Sequence, residues 1–219
     1  MKFTRFVFYF VMVFLVPVAL IFLGLRILLS NAFLNLEYRV PGFPVDNYGF
    51  TQAERLKWSK LAVQYLVNDS NEDFLGELTF LDGTPLYNDR ELSHMLDVKK
   101  VVKPILSIGY TSWVLLIGLG IITIRFNWRS EYRRGFRLGG MIMLGLLCII
   151  GLFAIVSFWN FFTFFHSIFF EGDSWLFLYS DTLIRLFPMR FWQDAFLLAG
   201  IIILGSSLAL VLGLKPDHN

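Results

Sequence analysis

Four long uncharged runs separate the charged parts of the sequence. They occupy residues 6–25, 104–124, 138–170 and 195–214. An α-helix rises about 1.5 Å per residue, so roughly 20 residues cross a hydrocarbon core of about 30 Å. Each run therefore predicts a membrane-spanning helix, because a helix satisfies its own backbone hydrogen bonds inside lipid. The third run is long enough to cross the membrane and continue into the interface beyond.

The charged residues that flank these runs give the domain organisation. We predict an all-α membrane protein with four transmembrane helices and an extracytoplasmic, mainly helical cap. The predicted segments are transmembrane helix 1 at 6–30, the cap at 31–103, transmembrane helix 2 at 104–124, a basic cytoplasmic link at 125–137, transmembrane helix 3 at 138–163, an aromatic interfacial segment at 164–192 and transmembrane helix 4 at 193–214. We interpret the first helix as an uncleaved membrane anchor, because its apolar run is longer than that of a signal peptide.

Composition agrees with a membrane protein. Hydrophobic residues make up 56% of the 219 residues, and the mean hydropathy is +0.62. A soluble domain of this size has no core large enough for so much apolar surface. The net charge of +2 does not indicate a nucleic-acid partner. The single cysteine, Cys148, lies in an uncharged run, where packing explains it better than nucleophilic chemistry.

Positive charge predicts the orientation in the membrane. The link 125–137 carries five arginines against Glu131 alone. Cytoplasmic loops are enriched in Arg and Lys, so the link and both termini are predicted to be cytoplasmic, as Lys215 near the end also favours. Lys99, Lys100 and Lys103 argue the other way, but they end a long loop, and long loops cross the membrane largely regardless of charge.

The cap and the interfacial segment contain helix signals. Thr51 and Glu54 have the spacing of a capping box. The stretch Asp82-Gly83-Thr84-Pro85 predicts a turn. A second cap helix is predicted to begin near Asn88 or Asp89 and to run into transmembrane helix 2. An amphipathic helix in the membrane interface is predicted from Trp175 to Phe187.

Two of the three histidines, His94 and His166, map to the predicted boundary between cap and membrane, while His218 is next to last. Two neutral imidazoles at one interface could act as acid and base. Glu91 and Asp97 lie three residues before and after His94, so either carboxylate could fix its tautomer. The apolar surroundings of His166 favour its neutral form and the role of base, with His94 as acid or oxyanion partner, but the sequence does not fix which histidine has which role.

Other interpretations of the pair are open from the residues alone. The two histidines could simply snorkel or cap at the interface of a non-catalytic scaffold or regulator of membrane complexes. They could also bind haem or a metal, although no third ligand has a recognisable metal-site spacing.

The density of aromatic residues beside His166 is unusual. Between residues 158 and 170, 8 of 13 residues are Phe or Trp. An ordinary interfacial girdle needs fewer, so we predict a confined apolar chamber for acyl chains. Arg26, near the outer end of helix 1, could snorkel to the interface or bind a phosphate or carbonyl group.

Two stretches resemble the signatures of the bacterial lipoprotein intramolecular transacylases. The first is LYNDRELSHMLDVK at 86–99. The second is FHSIFFEGDSW at 165–175, followed by DTLIRLFP at 181–188. The order of the two stretches and the plan of four helices with an outer cap also resemble this family.

The resemblance implies an acyltransferase of the bacterial cell membrane, multi-pass, with its active site on the extracytoplasmic side. Its partners would be membrane lipid and diacylglyceryl lipoproteins, whose acyl chain at the middle glycerol carbon moves to the amine of the N-terminal cysteine. The product is a lyso-form lipoprotein, and no cofactor and no metal are implied. By motif, the catalytic residues fall on His94 and His166. The residues expected to bind substrate or to support the pair are Glu91, Asp97, Arg26, Phe165, Phe169, Glu171, Trp175, Asp181 and Arg185.

Overall fold

Residues 2–214, the part of the chain that this computed structural model describes, form nine helices. The helices are α1 (Lys2–Leu28), α2 (Asn31–Glu37), α3 (Gln52–Val67), α4 (Asp73–Gly76), α5 (Asp89–Phe126), α6 (Arg129–Val156), α7 (Phe158–Phe169), α8 (Thr182–Leu186) and α9 (Met189–Gly213). An isolated antiparallel bridge joins Thr79 and Pro85. Lys215 and His218 lie outside the described residues.

The chain divides into two compact units. Unit 1 comprises residues 1–26, 105–156 and 198–219, and unit 2 comprises residues 27–104 and 157–197. Helix α5 belongs to unit 2 up to Pro104 and to unit 1 from Ile105 onward.

Unit 1 carries the membrane-spanning character of the chain. Four helices, α1, α5, α6 and α9, are long and apolar enough to cross a bilayer, which confirms the four predicted spans. Within α5 the spanning part is the uncharged run 104–124, because charged residues crowd the helix before it. A Cβ atom on Gly135 or Gly139 would lie 2.6 Å from a side-chain atom of Met12 or Val16. Glycine therefore lets α1 and α6 pack closely.

The third uncharged run does not form one helix. Helix α6 already begins at Arg129 and ends at Val156, and α7 begins at Phe158. Ser157 between them is extended, and its side chain accepts a hydrogen bond from the backbone N–H of Asn160 at 3.3 Å. This N-cap starts a new helix inside an apolar stretch, so hydropathy alone gives no sign of the break.

Unit 2 contains the cap elements. The predicted capping box is confirmed: Thr51 accepts from the N–H of Glu54, and Glu54 accepts from the N–H of Thr51. The predicted start of the second cap helix is confirmed at Asp89. The helix predicted from Trp175 to Phe187 is wrong, because only Thr182–Leu186 is helical. Asp181 is extended, and its carboxylate accepts the N–H of Leu178 at 2.8 Å, which makes a turn instead.

The three lysines near the end of the cap all have partners within unit 2. Lys99 is only 6% exposed, and its Nζ donates to Asn68 Oδ1 at 3.1 Å and to the Ser70 carbonyl at 2.5 Å. Lys100 pairs with Asp97, and Lys103 pairs with Asp69. Cap folding therefore accounts for these positive charges.

Candidate active site

His94 and His166 lie together in unit 2. Helix α5 carries His94 and α7 carries His166. Their ring centroids are 6.5 Å apart, and the ring planes are inclined by 18°. Both side chains are buried, at 9% and 8% exposure. The separation is too large for a direct hydrogen bond between the rings.

Aromatic rings surround the two imidazoles. The rings of Phe162 and Trp175 lie 4.0 and 4.6 Å from the ring of His166. Phe170 and Phe177 lie 4.9 and 5.3 Å from the ring of His94. Phe170 also reaches His166, at 5.6 Å. The pair therefore sits in a setting of low polarity, where an uncompensated charge is costly.

One hydrogen bond assigns the tautomer of His166. Its Nδ1 lies 2.8 Å from the backbone carbonyl of Phe162. A carbonyl can only accept, so Nδ1 carries the proton and Nε2 has a free lone pair. Burial lowers the pKa of His166 below its ordinary value, although the bond to Phe162 opposes this shift. A neutral His166 is thus ready to take a proton through Nε2.

The nitrogen Nδ1 of His94 is buried and has no hydrogen-bond partner among residues 2–214. Neither Glu91 nor Asp97 therefore bonds Nδ1 of His94, and that one of them fixes its tautomer stays a prediction. Asp97 instead accepts from Lys100 Nζ at 3.0 Å. A helical spacing of three residues puts two side chains on neighbouring positions, but other partners compete for the carboxylates.

Glu91 has a different role in the structure. Its side chain is 1% exposed, and its two oxygens accept backbone N–H groups of Leu183 at 2.6 Å and Asn88 at 2.9 Å. The first bond ties α8 to the beginning of α5. Thr182 adds a second bond by donating its hydroxyl to the carbonyl of Leu86 at 2.5 Å. Glu91 therefore positions the chain that follows the aromatic cluster.

Arg185 is buried in an ion pair that sequence analysis did not predict. Its guanidinium bonds both oxygens of Asp46, at 3.2 and 3.1 Å, and stacks over the ring of Phe50 at 3.6 Å. The two charged side chains are 9% and 2% exposed. Arg185 therefore joins α8 to the loop before α3. Sequence analysis did not identify Asp46, because its partner Arg185 lies 139 positions away along the chain.

The remaining predicted residues divide between the pair and other places. Phe165 contacts His166 at 5.6 Å and Phe169 at 5.1 Å, so both line the aromatic cluster. Glu171 is exposed in the loop after α7. Arg26 belongs to unit 1, where its guanidinium lies 6.0 Å from the ring centre of Tyr110.

An open pocket of about 450 Å³ lies in unit 2, and neither histidine lines it. Phe177 forms part of its wall and also contacts the ring of His94. Arg90 lies in the same wall, where it donates to the carbonyl of Asp173 at 2.5 Å. The pocket is lined by Asn88, Arg90, Asp173, Leu176, Phe177, Leu178 and Asp181. The interfacial pattern around residue 175 suggested lipid contact there, so sequence reasoning missed this polar wall.

Comparison with known proteins shows the family and the fold of this chain. The model of the family described as lipoprotein intramolecular transacylase Lit matches residues 9–192. An uncharacterized protein of Aquifex aeolicus is 30% identical over 196 residues, which cover 88% of this chain and 86% of that protein. The structure of the membrane integral lipoprotein intramolecular transacylase Lit from Bacillus cereus aligns with a TM-score of 0.72 at 17% identity, covering 96% of this chain and 94% of that one. A variant of that protein with one histidine replaced by alanine gives the same TM-score at 18% identity, covering 95% and 91%.

Proposed function

The chain belongs to the lipoprotein intramolecular transacylase family, and we propose that His94 and His166 are the acid–base pair with which it transfers an acyl chain. The donor is the ester at the middle glycerol carbon of a diacylglyceryl lipoprotein. The acceptor is the free amine of the N-terminal cysteine of the same molecule. The observation that carries the assignment of the pair is the 6.5 Å separation of two buried imidazoles within one aromatic cluster.

The substrate supplies both reacting groups, so the enzyme needs no nucleophile of its own. The amine nitrogen attacks the acyl carbon, and the bond between that carbon and the glycerol oxygen breaks. The ring that forms during attack contains the nitrogen, Cα, Cβ, sulfur, two glycerol carbons, the ester oxygen and the acyl carbon. Such a medium ring closes slowly in solution. A site that folds the headgroup holds the amine close to the ester and so speeds ring closure. Conversion of an ester into an amide needs no energy input.

His166 acts as the base in this scheme. Its Nε2 takes a proton from the cysteine ammonium, while the bond from Nδ1 to Phe162 keeps the ring in place. Two protons leave nitrogen as the ammonium becomes an amide. Nε2 of His166 passes the first to solvent before attack. The second leaves nitrogen after attack, and the pair delivers it to the departing glycerol oxygen, with His94 as the acid or oxyanion partner, so both histidines end neutral.

The aromatic surface of α7 binds the acyl chains. Trp159, Phe164 and Ile168 are more than half exposed, at 55%, 54% and 58%. Phe165 connects this outer surface to His166. An acyl chain that lies along α7 thus brings its carbonyl carbon to the imidazoles, and the burial of its apolar surface supplies binding energy.

The polar pocket beside Phe177 takes the polypeptide that follows the modified cysteine. Its wall combines Arg90, Asp173 and Asp181 with backbone groups, which suits an extended peptide better than a lipid tail. Phe177 connects the pocket to His94, so the peptide leaves the reacting centre past this ring.

The active site lies on the extracytoplasmic side, with both termini in the cytoplasm. The arginines of 125–137 favour this orientation. The lysines that argued against it all have partners within unit 2, Lys99 as a buried group, so they do not act as free topogenic charges.

The decisive experiment is mass spectrometry of lipoprotein N-termini in bacterial cells with and without this protein. Cells that contain it are expected to carry N-acyl, S-monoacylglyceryl cysteine, and cells without it only the diacylglyceryl form. His94→Ala and His166→Ala should abolish the lyso form, while His218→Ala serves as a matched histidine control. Lyso-form lipoprotein at an unchanged level in both active-site variants would remove the pair from the mechanism.

A further inference from the structure

A basic cavity lies in unit 1, apart from the residues assigned to acyl transfer. Its volume is about 170 Å³. It is lined by Tyr9, Ser130, Arg133, Arg134, Arg137, Leu138, Met141 and Leu214. Three guanidinium groups and two hydroxyl groups therefore meet at one end of unit 1, and the proposed function uses none of them.

The lining residues of α6 share one helix face. Ser130, Arg134, Arg137 and Met141 are spaced by three or four residues, which places them on neighbouring turns of the same side. Along this face the order is polar and basic first, then apolar at Leu138 and Met141. A phospholipid has the same order, with a charged headgroup followed by acyl chains.

Neither Arg134 nor Arg137, the two arginines on which the site depends, forms an ion pair with a carboxylate among residues 2–214. Between positions 105 and 156 the one acidic residue of the sequence is Glu131, and its carboxylate is bonded to Arg5 at 3.2 Å. These two guanidinium groups therefore keep a positive field in the cavity that attracts an anion.

The side chain of Arg137 contains a buried donor that lacks a hydrogen-bond acceptor in the described part of the chain. Its Nε is buried and has no hydrogen-bond partner among residues 2–214. A buried donor without a partner costs free energy, and this cost is larger for a charged group. A ligand that brings anionic oxygens into the cavity removes this free-energy cost.

We infer that this cavity binds the phosphate headgroup of an anionic phospholipid from the leaflet that contacts this end of unit 1. Guanidinium groups bind phosphate oxygens in pairs, so Arg134 and Arg137 can hold one phosphate from two sides. Tyr9 and Ser130 add hydroxyl donors. Leu138 and Met141 pack against the first part of the acyl chains, and basic pockets among membrane helices suit such headgroups.

The test compares two double variants of the full-length protein in lipid nanodiscs. R134Q/R137Q removes two guanidiniums from the cavity. R125Q/R129Q removes two from the same basic segment but outside the cavity, so the net charge of the two variants is equal. Thermal unfolding is followed in phosphatidylcholine nanodiscs with increasing phosphatidylglycerol, and native mass spectrometry counts retained lipid.

A lipid that binds only the folded protein raises its Tm. The wild type and R125Q/R129Q are expected to gain Tm with phosphatidylglycerol and to retain it in the mass spectrometer. R134Q/R137Q should bind it at least about tenfold more weakly, as expected when charged hydrogen bonds are lost. Equal weakening in both double variants would reduce the effect to general surface charge and overturn the site.

Two further arms keep the result decisive. Inorganic phosphate added to phosphatidylcholine nanodiscs should leave Tm unchanged, and a rise equal to that with phosphatidylglycerol would assign the cavity to free phosphate instead. If R134Q/R137Q fails to elute as a folded species, R134K/R137K is compared with R125K/R129K. Lysine keeps the charge but loses the paired donors, so weaker lipid binding in the cavity variant supports the site and equal binding overturns it.

Discussion

The imidazole of His94 lies almost parallel to that of His166, with 6.5 Å between the ring centroids. The two residues are 72 positions apart in sequence and come from different helices. Both rings are largely shielded from water by Phe and Trp side chains, and Phe170 contacts both. A headgroup placed between them would touch both imidazoles at once, and this geometry leads to the first prediction.

We expect His94→Ala and His166→Ala each to lower the rate of acyl transfer by at least ~100-fold, because each removes one proton-transfer step. The double variant should be little slower than either single variant, since residues that act as a unit are not additive. Rates are measured with purified enzyme and a synthetic diacylglyceryl lipopeptide. Strictly additive losses in the double variant would mean that the two histidines act independently.

The pKa of His166 lies below its ordinary value of 6.5 because the ring is buried. A base with a lowered pKa stays neutral as the pH falls, so kcat/KM should persist below pH 6.5 and decline only when the pH passes through the lowered pKa. The alkaline limb of the pH profile of kcat/KM is set by the substrate amine, whose pKa is about 8. A pH–rate profile measures both limbs.

Trp175→Ala provides the control for this pH profile. Trp175 is 9% exposed and lies 4.6 Å from the ring of His166, so its removal admits water to the imidazole. Weaker desolvation should raise the pKa of His166 and move the acid limb to higher pH. Coincident acid limbs in the two proteins would contradict burial as the cause.

Glu91→Gln should destabilise the protein more than Asp97→Asn. Glu91 accepts two backbone N–H groups, and an amide can accept with only one of its two end atoms, which leaves a buried donor unpaired. The expected loss in the free energy of unfolding is about 1–3 kcal/mol. Asp97 is bonded to Lys100 at an exposed position, so Asp97→Asn should change it by less than about 0.5 kcal/mol. Denaturant unfolding compares the two, and equal losses would contradict a special role for Glu91.

Phe165→Ala should lower activity more than it lowers the amount of folded protein, because Phe165 joins His166 to the proposed acyl-chain surface. Phe14→Ala, at a 71% exposed position of α1 outside the acyl-chain surface, is the matched control for loss of a phenyl group. Activity per folded molecule is measured with substrates of different acyl length. A proportional loss of activity and folded protein would reduce Phe165 to a packing residue.

Cysteine labelling of intact cells tests the orientation. The native Cys148 is exposed and is first replaced by alanine. A cysteine at position 70, in the cap, should react with a membrane-impermeant reagent, whereas one at position 130, in the arginine-rich link, should react only after lysis. Labelling of position 130 alone in intact cells would invert the topology.

Local signals accounted for much of the fold. The apolar runs predicted the spanning helices because length and composition are sufficient for that property, and the capping box around Thr51 needs only four consecutive residues. The break at Ser157 was hidden, because a single hydroxyl in an apolar run barely changes the hydropathy. The helix predicted from Trp175 failed because a turn closed by Asp181 and a backbone N–H outweighs helical spacing.

The candidate site needed information that residue spacing does not contain. His94 and His166 were found through their resemblance to family signatures, and their distance came from the fold. The partners of Glu91 were missed because one is a backbone N–H of Leu183, which has no signature in side-chain chemistry. The ion pair of Asp46 and Arg185 was missed because pairing across the chain is decided by tertiary packing.

The shortness of α7 has a consequence for any experiment that counts membrane crossings. Its 12 residues give a length of about 18 Å, well below the hydrocarbon thickness of about 30 Å. Despite being the most aromatic helix of the chain, it cannot carry the polypeptide to the opposite side. Helix α7 therefore adds no membrane crossing, and the chain is on the same side of the membrane before and after it. Reporter fusions placed in the loop before α2 and in the loop after α7 should then report the same compartment.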